Sequence, residues 1–137
     1  MSLSVIPPSE EQAREAAAVL RVLADTTRLR IFLLLRQGET CVCEVAESLG
    51  LAENLVSHHL GVLRRAGLAR DRRDPADARW VYYQLDVPTL SRLSTLLGDL
   101  FDPQTLGTRT PVCGPAALLM PQRAAPRAEL KSQETGG

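Results

Sequence analysis

Apolar residues recur at helical spacing near the start of the chain, between residues that are typical of helix ends. Ser9 begins a capping box, and small apolar residues then continue at that spacing to Ala24. Asp25 offers a second N-cap, the stretch from Leu29 to Arg36 predicts a buried helix, and Gly38 ends it. The first helix could serve core packing alone or form half of a dimer interface.

Two further helices follow and are joined at Leu49-Gly50-Leu51. The first is short and carries Val45 and Ala46, and Gly50 closes it. The second is predicted from Ala52 to Ala66, with Gly67 just beyond its end. Two short helices with this connection form a helix-turn-helix pattern.

The helix from Ala52 has one apolar face and one polar face. Val56, Leu60 and Leu63 fall within about 60° of one another on a helical wheel, so we expect them to face the core. His59 lies at the margin of this face, and we interpret it as a packed, hydrogen-bonded histidine. The polar face collects Asn54, Ser57, His58, Gly61, Arg64 and Arg65.

Such a polar face is typical of a recognition helix, whose early residues reach base edges while later arginines meet phosphates. Asn54 could pair with an adenine edge, Ser57 with a base or a phosphate, and His58 with an acceptor. Arg64 and Arg65 are then the predicted phosphate contacts.

After Gly67 the pattern changes to that of two strands, Leu68 to Arg73 and Arg79 to Leu85. The segment Asp74-Pro75-Ala76-Asp77 between them is a turn, because proline fixes φ and aspartate favours turn initiation. A β-hairpin directly after a recognition helix predicts a wing. Three arginines near its tip are placed to meet phosphates or a minor groove; they are Arg72, Arg73 and Arg79.

A last helix is predicted from Pro88, with a row of leucines along it: Leu90, Leu93, Leu96, Leu97 and Leu100. In so small a domain, this helix can pack only against the first helix and a second copy of itself. We therefore predict a homodimer through the first and last helices. The fold class expected is mainly α with a β-hairpin wing (α+β), a winged helix-turn-helix, over 1–102. The segment 103–137 is proline- and alanine-rich and predicts a tail that carries Cys113.

Composition narrows the possible partners of the protein. The chain has 137 residues and a formal net charge of zero, which argues against a generally basic nucleic-acid binder. Between Arg64 and Arg79, however, six arginines stand against three aspartates, which is compatible with DNA binding through one face or with a solvated surface. The apolar run 31–35 is too short to span a bilayer, and the N-terminus lacks a secretory pattern, so we expect a cytoplasmic protein with no membrane partner.

Two cysteines separated by one residue, Cys41 and Cys43, stand just before the helix-turn-helix. On a helix they would point to nearly opposite faces, because successive residues are about 100° apart. In an extended segment, residues i and i+2 share a face. Both thiolates can therefore bind one soft ion only if the backbone here is unwound or distorted, and a bound ligand would act on the start of the next helix.

From about Glu15 to Leu100 the chain resembles the ArsR/SmtB family of metal-responsive repressors. The resemblance is carried by these segments: Leu23-Ala24-Asp25-Thr26-Thr27-Arg28-Leu29-Arg30-Ile31, Cys41-Val42-Cys43-Glu44-Val45-Ala46, Val56-Ser57-His58-His59-Leu60, Leu63, Ala66-Gly67-Leu68 and Val81-Tyr82-Tyr83-Gln84-Leu85. It implies a homodimeric winged helix-turn-helix repressor that binds palindromic operator DNA when metal-free and leaves it when an ion binds.

Departures from the family pattern bear on the inducer. The last helix has no histidine, so the zinc and nickel site of the family is not expected, and Ala46 stands where arsenic sensors carry a third cysteine. If there is a third thiol ligand, it is Cys113, and the thirteen residues after Leu100 could span about 43–47 Å. Three thiolates (Cys41, Cys43 and Cys113) suit As(III) or Sb(III), with Cd(II) or Pb(II) as alternatives. A site of two cysteines, or no ion at all, stays open.

The resulting hypothesis is a metalloid-responsive transcriptional repressor. A second hypothesis keeps the DNA binding and makes Cys41 and Cys43 a redox or persulfide switch, since helix N-termini lower thiol pKa values. A thiol enzyme or metal carrier is a third, but the sequence offers no partner histidine, no phosphate-binding glycine loop and no Cys-x-x-Cys motif. We therefore expect no enzyme activity.

Overall fold

The structure, a computed structural model, describes residues 9–115, and the rest of the predicted tail lies outside them. Its contacts divide the chain into two units, Met1–Asp102 and Pro103–Gly137, each of which is described by itself. In the second unit, a 3-10 turn covers Pro103–Thr105, and every residue that is described there is exposed. The roles predicted for 1–102 and 103–137 stay predictions.

The first two helices begin at the caps predicted for them. Helix α1 covers Glu10–Leu23, and the Ser9 hydroxyl accepts a hydrogen bond from the Gln12 amide at 3.3 Å. Helix α2 covers Thr26–Leu35, and the Asp25 carboxylate accepts one from the Arg28 amide at 2.9 Å. This helix was predicted to be buried, and that holds for Ile31 and Leu35. Only one side of the helix faces the core, and Leu33 is 51% exposed.

Three antiparallel strands form the sheet, in the order β1-β3-β2. Strands β2 (Ala69–Arg73) and β3 (Val81–Leu85) are the predicted hairpin. Strand β1 (Thr40–Cys41) was not predicted, and it places Cys41 opposite Tyr82 of β3. The segment that holds the first thiol is therefore part of the same sheet as the wing.

The helix-turn-helix consists of α3 (Val42–Leu49) and α4 (Glu53–Arg65). Gly50 ends α3 in the left-handed conformation, with φ of 67°, which favours glycine. Helix α5 covers Val87–Gly98 and is capped by Asp86. Leu100, which was predicted on this helix, lies beyond it in a 3-10 turn, Asp99–Phe101.

The core of the first unit lies among α2, α3, α4 and the sheet, with Leu93 of α5 against it. Its fully buried side chains are Ile31, Val45, Val56, Leu60, Leu63 and Leu68. The apolar face predicted for α4 is thus confirmed, since three of these residues come from it. Among the described residues, no helix is both long enough and apolar enough to cross a membrane.

Candidate nucleic-acid interface and thiol site

The two thiols lie together where β1 ends and α3 begins. Cys41 is the residue before α3 and has extended backbone, with φ of −121° and ψ of 169°. Cys43 lies in the first turn of the helix, and its Sγ atom is 3.2 Å from that of Cys41. The two thiols thus come together at the junction of extended and helical backbone, because Cys41 precedes the helix and Cys43 lies within it. Cys41 is buried and Cys43 is exposed.

Hydrogen bonds fix the backbone around the first thiol. The Glu44 carboxylate accepts from the Thr40 hydroxyl at 2.8 Å and from the Cys41 amide at 3.3 Å. These two hydrogen bonds lower the pKa of Glu44, so it stays ionised at the helix N-terminus. Because Cys41 also pairs with Tyr82, the thiol segment is attached both to α3 and to the wing.

The pKa of the Cys43 thiol is raised, above all by its hydrogen bond with Cys41 and then by desolvation and the nearby negative charges of Cys41 and Glu53. The sequence had suggested the opposite direction, from the position at a helix N-terminus. That prediction is wrong for Cys43 because the favourable contribution of its own backbone hydrogen bond is smaller than these opposing contributions.

The spacing of the two sulfurs fits a shared soft ion. At a sulfur–metal distance of about 2.3 Å, two thiolates on one ion lie at most about 4.6 Å apart. Their 3.2 Å separation meets this limit. Within 9–115, no group of three or more His, Cys, Asp or Glu residues is placed to hold a metal ion. Cys113 is exposed in the second unit, and its part in the site stays a prediction.

A cavity of about 370 Å³ opens beside the thiol pair. It is lined by Cys41, Val42, Cys43, Glu53, Ser57, Arg79, Trp80, Val81 and Tyr83. The thiols thus share one cavity with the first turns of α4 and with the wing. Glu53 and Trp80 were missed by the sequence analysis. Neither forms a motif with the cysteines, and only the fold brings them there.

The polar face of α4 is exposed as predicted. Asn54, Ser57, His58, Arg64 and Arg65 are all open to solvent, with the short side chains in the N-terminal half of the helix and both arginines in its last turn. This arrangement is typical of a recognition helix. The individual base and phosphate contacts stay predictions.

His59, the other histidine of α4, faces inward and is only 6% exposed. Its Nδ1 atom lies 3.1 Å from Nη1 of Arg28, whose Nε also donates to the carbonyl of Val22 at 2.7 Å. A guanidinium can only donate, so Nδ1 is the acceptor and the proton of the neutral ring lies on Nε2. The interpretation of His59 as a structural histidine is confirmed. Arg28, which positions it, was missed.

Burial lowers the pKa of His59, and the charges of Arg28 and His58 lower it further, while Asp25 opposes them. The folded protein therefore favours the neutral ring, and protonation favours the unfolded chain. We expect the free energy of unfolding to fall as the pH decreases from 7.5 to 5.5, through the unfolded-state pKa near 6.5. Urea titrations at several pH values measure it.

The variant His59→Gln provides the comparison for this pH dependence, because it removes the titratable ring. The carboxylates with lowered pKa values, among them Asp25 and Glu44, lose their stabilisation only below about pH 4.5, outside this window. An equal pH dependence in His59→Gln would contradict the assignment.

The wing arginines have partners within the protein. Arg72 donates to the Glu39 carboxylate at 2.7 and 2.9 Å and lies 4.8 Å from the centre of the Tyr82 ring. Arg79 pairs with Asp77 at 2.8 Å, whereas the Arg73 hydrogen bond goes to the carbonyl of Ala78. Contact of Arg72 or Arg79 with a phosphate would therefore compete with a carboxylate.

Comparison with known proteins gives matches to regulators. The sequence pattern of the bacterial regulatory protein, arsR family, matches residues 25–71. The arsenic resistance transcriptional regulator ArsR1 of Pseudomonas putida is 48% identical over 68 residues, which are 49% of this chain and 51% of that protein. The chain thus spans about half the length of this relative. The biofilm growth-associated repressor of Agrobacterium fabrum is 35% identical over 70% of this chain and 80% of its own length.

A solved structure extends the likeness to the fold. It is the homodimeric winged helix-turn-helix DNA-binding domain of a possible ArsR-family transcriptional regulator from Mycobacterium bovis. It is 29% identical and superposes with a TM-score of 0.52, over 70% of this chain and 89% of that one. By its fold and by its sequence relatives, this chain belongs to the ArsR family of winged helix-turn-helix regulators.

Proposed function

We propose that the chain is a transcriptional repressor that binds operator DNA as a homodimer and leaves it when As(III) or Sb(III) binds its cysteine thiolates. The observation that supports this most directly is the 3.2 Å pair of sulfurs at the start of the helix-turn-helix. The Pseudomonas relative, which is named for arsenic resistance, supports the choice of inducer. Action on DNA is consistent with the cytoplasmic location expected from the sequence.

In this proposal α4 reads the DNA. Asn54, Ser57 and His58 meet base edges in the major groove, and Arg64 and Arg65 meet phosphates. The wing residues Arg72, Arg73 and Arg79 contact the adjacent backbone. Two copies of α4 would then read half-sites about one helical turn apart, or a multiple of that spacing.

The proposed dimer forms through α1 and α5. Apolar side chains remain exposed on and next to these helices; Leu20 of α1 is 45% exposed, and Leu100, just beyond α5, is 54% exposed. A second copy of the chain would cover them. The homodimeric structure of the Mycobacterium bovis neighbour supports this assembly.

We expect ion binding to release the DNA because the thiol segment is attached both to α3 and to the wing. An ion held by both sulfurs fixes the end of β1 against the first turn of α3. It also occupies a cavity whose walls include Ser57 and Arg79, two of the predicted DNA contacts. We expect the ligand to shift both relative to the DNA. A coupling free energy of about 1–3 kcal/mol would weaken operator binding by about 5- to 150-fold.

Cys113 is proposed as the third ligand because a trigonal As(III) or Sb(III) ion takes three thiolates. This assignment of Cys113 rests on the number of thiols in the chain and on their chemistry. Operator release by Cys113→Ser tests it directly. A variant that responds to arsenite like the wild type would leave Cys41 and Cys43 as the whole site.

The proposal is tested with the full chain and a duplex selected from a random library by binding to it. Fluorescence anisotropy of that duplex is followed while As(III), Sb(III), Cd(II), Pb(II) and Zn(II) are titrated in parallel. We expect arsenite and antimonite to release the DNA at the lowest concentrations. Release by Cd(II) or Pb(II) alone would change the inducer, and failure to select any duplex would overturn the function.

A redox or persulfide switch at the same thiols is the competing proposal. Mass spectrometry of the protein after treatment with an oxidant or a persulfide donor separates the two. Release of DNA together with a covalent change at Cys41 or Cys43, and none with arsenite, would favour the switch.

The role of Arg64 can be measured from the salt dependence of operator binding. If Arg64 of each protomer neutralises one phosphate, Arg64→Gln removes two contacts from the dimer, and it should lower the slope of log K against log salt concentration by about 1.8 and weaken binding to all sequences alike. Arg70→Gln is a matched control, because Arg70 is also exposed and its guanidinium also lies 3.9 Å from a carboxylate, but it is outside the predicted contacts. Equal slopes for the two variants would contradict this role.

A further inference from the structure

The cavity beside the thiol pair is larger than an ion requires. Its volume of about 370 Å³ lies in the range of small-molecule sites, roughly 300–1,000 Å³. The wing contributes Trp80, Val81 and Tyr83 to its wall. An inorganic ion held by the two sulfurs would leave most of this space to water.

We propose that this cavity binds trivalent arsenicals that carry one carbon substituent, with the arsenic on Cys41 and Cys43 and the substituent against Trp80 and Tyr83. The proposal deepens the proposed function, on which it rests, by naming a ligand class for the same thiols. It requires no third thiol.

The number of thiols in the first unit matches the chemistry of this class. An arsenical of the form R–As(OH)₂ has two exchangeable bonds, because the As–C bond is retained. Each thiol replaces one hydroxyl, so that two As–S bonds form, two As–O bonds break and two water molecules leave with the thiol protons. The arsenic stays trivalent, and neither an oxidant nor a reductant is needed.

The cavity lies between the wing and α4, so a bound substituent would contact both of these elements. One wall is the wing, and the other includes Glu53 and Ser57 in the first turns of α4. A planar hydrophobic substituent would lie between these two DNA-facing elements and exclude water from the ring of Trp80, which is 46% exposed. Trp80 is the only tryptophan in the chain, so its fluorescence reports on this cavity alone.

The test uses the full-length Cys113→Ser variant, in which Cys41 and Cys43 are the only thiols. It is titrated with phenylarsonous acid and, separately, with arsenite. We expect one phenylarsenic group per chain by native mass spectrometry, a change in Trp80 fluorescence, and affinity at least tenfold higher than for arsenite. Absence of the adduct, or equal affinities for the two probes, would overturn the proposal.

A second variant isolates the aromatic wall. Trp80→Ala in the same background should bring the two affinities at least threefold closer, with mass spectrometry as the readout. Val87→Ala, which changes an exposed apolar residue outside the cavity, should leave them apart. An unchanged preference in Trp80→Ala would contradict the placement of the substituent.

Failure of this inference differs from failure of the proposed function. If arsenite releases the operator from the wild-type chain while phenylarsonous acid forms no adduct, the inference is wrong and the repressor stands. If phenylarsonous acid binds as expected while no selected duplex responds to either arsenical, the cavity is assigned correctly and the proposed function fails.

Discussion

Replacing both Cys41 and Cys43 by serine is expected to abolish the release of operator DNA by arsenite while operator binding itself is retained. The sulfurs lie 3.2 Å apart and are the only thiols of the first unit, so no other soft ligand can replace them there. Of the predicted α4 contacts only Ser57 lines the cavity beside the thiols, so the helix should still reach the DNA. The measurement is fluorescence anisotropy of the selected duplex with increasing arsenite.

The single variants show whether the thiols act together. Cys43→Ser changes an exposed side chain, so its fold should be undisturbed, and circular dichroism can verify this. Thr40→Val is the matched control, because it removes the hydrogen bond to Glu44 beside the site but leaves both thiols in place. Arsenite release by Cys43→Ser at the wild-type concentration would show that the thiol pair is not the inducer site.

Local sequence rules were sufficient for the elements that carry their own signals. Ser9 and Asp25 cap helices as expected, because a short polar side chain satisfies amides that the helix leaves free. The turn between the wing strands follows from Asp74, whose carboxylate accepts from the amides of Ala76 and Asp77.

The candidate site depends on contacts between residues distant in sequence, and these could not be predicted. Strand β1 has only two residues, too few to show a period, and it exists because β3 supplies its partners. Glu39 and Arg72 are thirty-three positions apart, yet they form a two-bond ion pair. The pattern of six arginines therefore overstated the free positive charge of the wing.

The thiol site depends both on local sequence and on contacts between residues distant in sequence. Its one-residue spacing indicated that a regular helix through both residues would separate the thiols, and the structure brings them together because Cys41 lies before the helix in extended backbone. The cavity beside it was not predictable, since Trp80 arrives from the wing and Glu53 from α4. The pKa of Cys43 is raised mainly by its hydrogen bond with Cys41, and Glu53 of α4 adds a smaller contribution.

Truncation of Leu60, which packs α4 into the core, is expected to produce the largest change in stability. Leu60 is fully buried, so Leu60→Ala removes several buried carbons and leaves a cavity that the neighbouring side chains fill only in part. We expect the free energy of unfolding to fall by about 2–5 kcal/mol, a large share of the roughly 5–15 kcal/mol of a typical domain. Urea unfolding at one fixed protein concentration measures it, because dimer formation contributes to stability.

Leu55→Ala is the matched control for Leu60→Ala. It makes the same change on the same helix, but Leu55 is 39% exposed, so we expect a loss of less than about 1 kcal/mol. If Leu60→Ala binds operator DNA less well, the loss should match its folded fraction, because Leu60 lies on the face opposite the predicted DNA contacts. Equal stabilities of the two variants would contradict the packing of α4, and with it the orientation that presents Asn54 and His58 to a groove.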